Sequence, residues 1–159
     1  MYGTDDFEPR LIVEHWTGSK TQVAAIDYWD ESAESTWVHF IIDPQGHITQ
    51  LAPLDVVAKH AYGVSPWAIG IEHVGENAGD IMGKRLERQS SYRLTCWLRE
   101  RFGIPMRSVI GHAEVPSNPL FGFTRAGWEW IESSHYEFHE DFSHQTMKNY
   151  RGHLREFCP

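Results

Sequence analysis

The sequence is poor in cysteine and in positive charge. Only two cysteines are present, Cys96 and Cys158, and they form no Cys-x-x-Cys pair. We read them as two unpaired thiols, with a disulfide between them left open. The 14 basic residues are outnumbered by 22 acidic ones, which gives a formal net charge of −8. This balance argues against a nucleic-acid partner, because proteins that bind nucleic acids are normally basic.

Long apolar runs are also missing. No segment approaches the ~20 consecutive apolar residues of a membrane-spanning helix, and no basic amphipathic stretch indicates binding to a membrane surface. Residues 1–6 are polar and acidic, unlike the basic and then apolar start of a signal peptide. We therefore expect a protein that is synthesised in the cytoplasm without a signal peptide and does not insert into a membrane.

The composition is that of a folded domain. Hydrophobic residues make up 41% of the chain and aromatic residues 13%, which excludes a disordered protein. A length of 159 residues fits one domain with a real core, and no repeat or linker divides the chain. We expect a single domain over residues 1–159, present as a monomer.

Hydrophobic patterning predicts alternating strands and helices. The predicted strands cover 11–15, 37–42, 47–51, 68–74 and 107–111, and the predicted helices cover 20–30, 85–102 and a segment that begins after Ser143. Segment 113–138 is hard to interpret, apart from a short helix near 126–131. Strands that alternate with helices, with one hairpin among them, indicate an α/β fold with a central mixed β-sheet flanked by helices.

Three of the predicted strands end in residues that suit a metal-dependent hydrolase. His15 and His112 each follow a β-branched run, and Glu72 ends the strand Ala68-Ile69-Gly70-Ile71-Glu72. A catalytic zinc ion needs three protein ligands and one open position, and a nearby carboxylate can act as general base. The alternative for each histidine, taken alone, is a structural or exposed position. The alternative for Glu72 is an edge strand with its side chain in solvent.

The third ligand is not settled by spacing. Asp141 lies just before the predicted cap Ser143, where it could equally favour the N-terminus of the last helix. Glu114, two residues after His112, is the other carboxylate within reach.

Together these residues resemble the zinc-dependent N-acetylmuramoyl-L-alanine amidases of the peptidoglycan recognition protein fold, also called type 2 amidases. The resemblance covers residues 11–112 and 139–155. It rests on the order of these landmarks: a strand ending in His15 and followed by Thr17; Val38-His39-Phe40-Ile41-Ile42-Asp43 with Gly46 and Gln50-Leu51; Val57-Ala58-Lys59-His60-Ala61; Ile69-Gly70-Ile71-Glu72; Gln89; Gly103-Ile104-Pro105; and Val109-Ile110-Gly111-His112.

The resemblance implies a set of roles. His15, His112 and Asp141 would bind Zn²⁺, Glu72 would be the general base, and His139 would stabilise the oxyanion. Two features depart from the family pattern: the third ligand comes late and is followed by Phe142 rather than Pro-Gly, and Val38 replaces a tyrosine found in some members. Asn118 lies closer to the usual spacing, but a neutral amide is a poor zinc ligand.

The resemblance also implies a substrate groove. His60 matches a groove histidine of the family, and Trp16, Tyr62 and Trp67 are candidates for stacking on sugar or stem-peptide groups. The alternative for His60 is a loop position near a turn, and for the three aromatic residues it is packing in the core.

The implied activity is cleavage of the amide bond between N-acetylmuramic acid and the L-alanine of the peptidoglycan stem peptide by zinc-activated water. Two alternatives remain: a peptidoglycan-binding module of the same fold without catalysis, or a cytoplasmic amidase that recycles muropeptides. A bacteriolytic phage endolysin, released to the cell wall by a holin, would also suit a chain without a signal peptide.

Overall fold

A computed structural model describes residues 7–31, 37–117 and 142–158, and within them a five-stranded sheet forms the centre of the fold. The strands are β1 (Leu11–Trp16), β2 (Phe40–Ile42), β3 (Ile48–Gln50), β4 (Ala68–His73) and β5 (Val109–Gly111), in the order β3-β2-β4-β1-β5. β1, β2, β4 and β5 are parallel, and β3 pairs with β2 as an antiparallel hairpin. The predicted mixed sheet is therefore confirmed.

The sheet order explains the apolar character of β4. This strand is paired on both sides, by β1 and by β2, and all six of its residues are buried. A central parallel strand is covered on both faces and therefore reads as a continuous apolar run. Glu72 is accordingly not on an edge strand.

Four α-helices lie in the described ranges: α1 (Gln22–Glu31), α2 (Ala78–Gly83), α3 (Arg85–Phe102) and α4 (His144–Phe157). Gly103 ends α3 with a φ of 66°, in the left-handed region that glycine adopts without a Cβ clash. The Ser143 hydroxyl accepts a hydrogen bond from the Thr146 amide and so caps α4, as the sequence predicts. None of these helices is long and apolar enough to cross a membrane.

The two faces of the sheet carry different layers. On one face, Ile12, Ile69 and Ile71 pack with residues of α3 and α4 in the main core cluster. On the other face, Leu11, Val13 and Ala68 pack with the loop residues Ala61 and Val64 in a smaller cluster. Side chains alternate between faces along a strand, so His15 belongs to the second face, with Leu11 and Val13.

Apolar periodicity predicts a buried face of Leu86, Tyr92, Cys96, Trp97 and Leu98 on α3, and inward-facing Val23 and Ile26 on α1. The structure corrects both faces in part. Leu86 and Trp97 of α3 are exposed, and α3 instead buries Glu87, Ser91 and Thr95 beside Tyr92, Leu94 and Leu98. In α1, Val23 is exposed, while Ala25 and Trp29 are buried. Apolar periodicity misplaced the α3 face because much of what this helix buries is polar.

Ser91 and Thr95 of α3 belong to a buried hydrogen-bonded network beneath the sheet. The Glu14 carboxylate accepts hydrogen bonds from His73 Nε2 (2.8 Å), Thr95 Oγ1 (3.0 Å) and Tyr150 Oη (3.0 Å). Glu87 lies 4.0 Å from His73 Nδ1, and burial raises its pKa to about 7. The network satisfies the Glu14 carboxylate, which would otherwise be costly to bury.

A disulfide joins the two long helices. Cys96 of α3 is bonded to Cys158, which directly follows α4, and their Cα atoms are 5.6 Å apart. The expectation of two unpaired thiols is therefore wrong. The pairing could not be predicted from the sequence, because 62 positions separate the cysteines and only the packing of α3 against α4 brings them together.

Candidate active site

The candidate catalytic residues meet at the carboxyl-terminal edge of the parallel strands. His15 is near the end of β1, Glu72 is near the end of β4, and His112 directly follows β5. His15 and Glu72 are paired positions in the β1–β4 register, so their side chains leave the sheet on the same face. This edge is where open α/β sheets usually bind ligands.

His15 and His112 are close enough to share one metal ion. Their Nδ1 atoms are 3.1 Å apart, and both side chains are buried. Two nitrogens on a tetrahedral zinc ion, each at the usual Zn–N distance, would lie about 3.3 Å apart. The histidine pair therefore fits two of the ligand positions of such an ion.

His60 approaches His15 from the other side of its ring. His60 Nδ1 lies 3.0 Å from His15 Nε2, and His60 Nε2 lies 3.1 Å from the carbonyl oxygen of Ala68. Burial, followed by the neighbouring imidazoles of His15 and His39, holds the pKa of His60 well below its usual value. These surroundings favour the neutral form of the His60 ring.

His39 is a second neutral histidine beside this group. Its Nδ1 accepts a hydrogen bond from the Gly70 amide, and its Nε2 donates to the Val56 carbonyl. Burial lowers its pKa to about 4. The His39 ring packs edge-on against the His60 ring, with centroids 6.0 Å apart, and its hydrogen bonds tie the Val56 loop to β4.

Glu72 has the environment expected of a general base. Its side chain is only 9% exposed, on the face that also carries His15. The central strand holds the Glu72 backbone in place, which suits a residue that transfers protons.

Glu114 is engaged elsewhere. Arg151 donates to both of its carboxylate oxygens, at 2.6 and 2.9 Å, and His144 Nδ1 lies 2.7 Å from Oε1. The Gly111 amide also donates to Glu114, at 3.2 Å. A bidentate pair with arginine is a strong charge-assisted contact, so this carboxylate ties α4 to the end of β5 and is not favoured as a metal ligand.

The remaining predicted ligand and the predicted oxyanion residue, Asp141 and His139, lie outside the described residues, as do Asn118 and the short helix near 126–131. Within 7–31, 37–117 and 142–158, no group of three or more histidine, cysteine or acidic side chains could hold a metal ion. The described part of the site therefore supplies two candidate ligands.

The predicted groove residues are not all at the site. Trp16 points away from the His15 face and packs against the main core cluster, so the structure does not bring it together with the histidines. Tyr62 and Trp67 are 55% and 42% exposed, which leaves their rings available for contact with a ligand. His60 is only 8% exposed.

Sequence reasoning missed the polar pair beneath the site. Glu14 precedes His15, and His73 follows Glu72, so the 2.8 Å contact between Glu14 and His73 crosses the β1–β4 rung that carries the two candidate residues. The signal for this pair in the sequence is Glu14 itself, a charged residue directly after the apolar run Leu11-Ile12-Val13.

Comparison with known families gives one extended match. The family model described as N-acetylmuramoyl-L-alanine amidase matches residues 5–125. No curated protein sequence matches the chain significantly.

Solved structures with the same architecture carry related descriptions. The N-acetylmuramoyl-L-alanine amidase LysC from Clostridium intestinale is 25% identical, with a TM-score of 0.58, and the match covers 80% of this chain and 85% of that one. A mutant endolysin from Bacillus subtilis is 23% identical, with a TM-score of 0.56 and coverage of 79% and 84%. The amidase AmiD from E. coli, in complex with an anhydro-N-acetylmuramic acid peptide, is 17% identical, with a TM-score of 0.60 and coverage of 78% and 57%.

Proposed function

The chain belongs to the N-acetylmuramoyl-L-alanine amidase family, and from this premise we propose that it hydrolyses the amide between N-acetylmuramic acid and L-alanine of peptidoglycan with a Zn²⁺ ion held by His15, His112 and Asp141. The observation that carries the proposal is the 3.1 Å separation of the two Nδ1 atoms of His15 and His112. A metal explains why two buried imidazoles approach through the same ring position.

The position of Phe142 supports Asp141 as third ligand. Phe142 packs tightly on Gly111, where an ideal Cβ would lie 1.8 Å from the Phe142 carbonyl oxygen. Gly111 directly precedes His112, and Asp141 directly precedes Phe142. Phe142, the residue that follows Asp141, therefore lies against the end of β5. The alternative ligand, Glu114, is already paired with Arg151.

The chemistry follows from these assignments. When bound, Zn²⁺ would act as a Lewis acid and lower the pKa of water to about 7. Glu72 accepts a proton from the attacking water and returns it to the amide nitrogen that leaves. His139 stabilises the oxyanion that develops on the carbonyl oxygen, either by donating a hydrogen bond or by placing a positive charge beside it.

The substrate is assigned by class. AmiD is described in complex with an anhydro-N-acetylmuramic acid peptide, and a muropeptide or intact peptidoglycan is the corresponding substrate here. The exposed rings of Tyr62 and Trp67 offer stacking surfaces for sugar or peptide groups.

The disulfide favours action at the cell wall over muropeptide recycling in the cytoplasm. Cys96 and Cys158 are paired, and structural disulfides persist in oxidising compartments, whereas cytosolic thiols are kept reduced.

Product analysis from purified sacculi tests the proposal. Stem peptides with a free L-alanine amino group should appear, a chelator should abolish their release, and added Zn²⁺ should restore it. Binding to sacculi without any product would instead identify a binding module, and products formed only from soluble muropeptides would identify a recycling enzyme.

A further inference from the structure

The donors and acceptors around His60 fix its tautomer. The Ala68 carbonyl can only accept a hydrogen bond, so the His60 nitrogen 3.1 Å away, Nε2, carries the proton. The other His60 nitrogen, Nδ1, lies 3.0 Å from His15 Nε2. A His15 ring that binds a metal through Nδ1 carries its proton on Nε2, so His15 donates this hydrogen bond and His60 Nδ1 accepts it.

This hydrogen bond orients the His15 ring. With its proton on Nε2, His15 has its lone pair on Nδ1, the atom that faces His112 at 3.1 Å. Metal-binding histidines almost always donate their other ring N–H to an oriented acceptor, which fixes both the tautomer and the ring orientation.

His60 is itself held rigidly. The Ser65 hydroxyl accepts hydrogen bonds from the amides of His60 (3.1 Å) and Ala61 (3.0 Å) and donates to the Ala61 carbonyl (2.8 Å). The His60 ring lies against β4 at Gly70, where an ideal Cβ would be 2.6 Å from His60 Cγ. Glycine is thus the only residue type that leaves room for this ring at position 70.

We propose that His60 is a positioning residue that accepts a hydrogen bond from His15 Nε2 and so presents His15 Nδ1 to the zinc ion, rather than a residue that contacts substrate. The proposal rests on the proposed function for the identity of the metal. The low exposure of His60, only 8%, also favours this role over a position in the lining of the substrate groove.

Zinc affinity is the first test. His60→Leu removes the acceptor, and His60→Asn keeps an oxygen near the Nδ1 position. We expect the zinc dissociation constant, measured by competition with a chromophoric chelator, to rise about 10- to 100-fold in His60→Leu and to stay within a few-fold of wild type in His60→Asn. Gly70→Ala, which displaces the ring, should weaken zinc binding as well.

His39→Leu is the matched control, since it removes a buried histidine that packs against the His60 ring but makes its hydrogen bonds to Gly70 and Val56 instead of His15. An equal loss of zinc affinity in His39→Leu would reduce the effect to packing and overturn the proposal. So would an unchanged zinc affinity in His60→Leu accompanied by a raised KM, since that pattern belongs to a residue that contacts substrate.

Imidazole ¹⁵N NMR of the metal-free wild-type protein tests the hydrogen bond without any substitution. We expect both His15 and His60 to carry their proton on Nε2. A His15 proton on Nδ1 would overturn the proposal. Failure of the wild-type protein to bind zinc would refute the proposed function instead, and the NMR result would still decide whether His60 orients His15.

Discussion

Removal of the Cys96–Cys158 disulfide should destabilise the protein by about 4 kcal/mol. The bond closes a loop across 62 positions, and the chain-entropy relation gives about 4 kcal/mol for a loop of that length at 25 °C. A domain of this kind has a total stability of about 5–15 kcal/mol, so the bond supplies a large share. Both cysteines also pack against the main core cluster.

The double substitution Cys96→Ala with Cys158→Ala is the cleanest perturbation, because it leaves no reactive thiol and alanine suits the interior of α3. Urea unfolding followed by circular dichroism, at saturating Zn²⁺ for both proteins, measures the difference in unfolding free energy. Wild-type protein in a phosphine reductant should match the double variant, and the reductant should leave the double variant unchanged.

A difference below about 1 kcal/mol, or two reactive thiols in the native, unreduced protein, would contradict this prediction. The first result would mean that α4 is held by packing alone. The second would mean that the two cysteines are not bonded.

Three further predictions concern single residues. Glu72→Gln should retain zinc and a cooperative unfolding transition but lower kcat about 10²- to 10⁴-fold; near wild-type turnover would remove Glu72 from the mechanism. Asp141→Ala should lose zinc on dialysis, as read by metal analysis, whereas Glu114→Ala should keep zinc and lose stability because it leaves the Arg151 contact unpaired; the opposite pattern would move the third ligand to Glu114. In the native state, the pKa of Glu87 is raised from 4.5 to about 7. At pH values between these two, the native state holds a proton that the unfolded state has released. The contribution of this proton to stability is therefore lost as pH rises from about 4.5 to 7. Glu87→Gln should therefore gain about 1–3 kcal/mol relative to wild type across that window, as measured by urea unfolding at several pH values, and a constant difference would contradict the raised pKa.

The sheet was predictable because its strands are locally distinct. β1, β4 and β5 are short β-branched runs bounded by turn residues, and Gly103 followed by Pro105 marks the end of α3. The hexapeptide helix α2 was missed because residues 78–83 include two glycines, which lower helix propensity.

The candidate site was partly legible for the same reason. His15, Glu72 and His112 stand at strand ends, and parallel strands bring those ends to one edge. The position of His60 was not legible, because its contact with His15 joins residues 45 positions apart through ring geometry and the gap that Gly70 leaves. The polar face of α3 was missed because a buried network of Glu14, His73 and Tyr150 replaces the usual apolar contacts.

Zinc content after equilibrium dialysis is the most direct test of the His15–His112 pair as a metal site. The wild-type protein and the surface control His47→Ala should each retain about one zinc ion per chain, whereas His15→Ala and His112→Ala should retain almost none. Equal zinc in all four proteins, or none in the wild type, would contradict a metal held between β1 and β5.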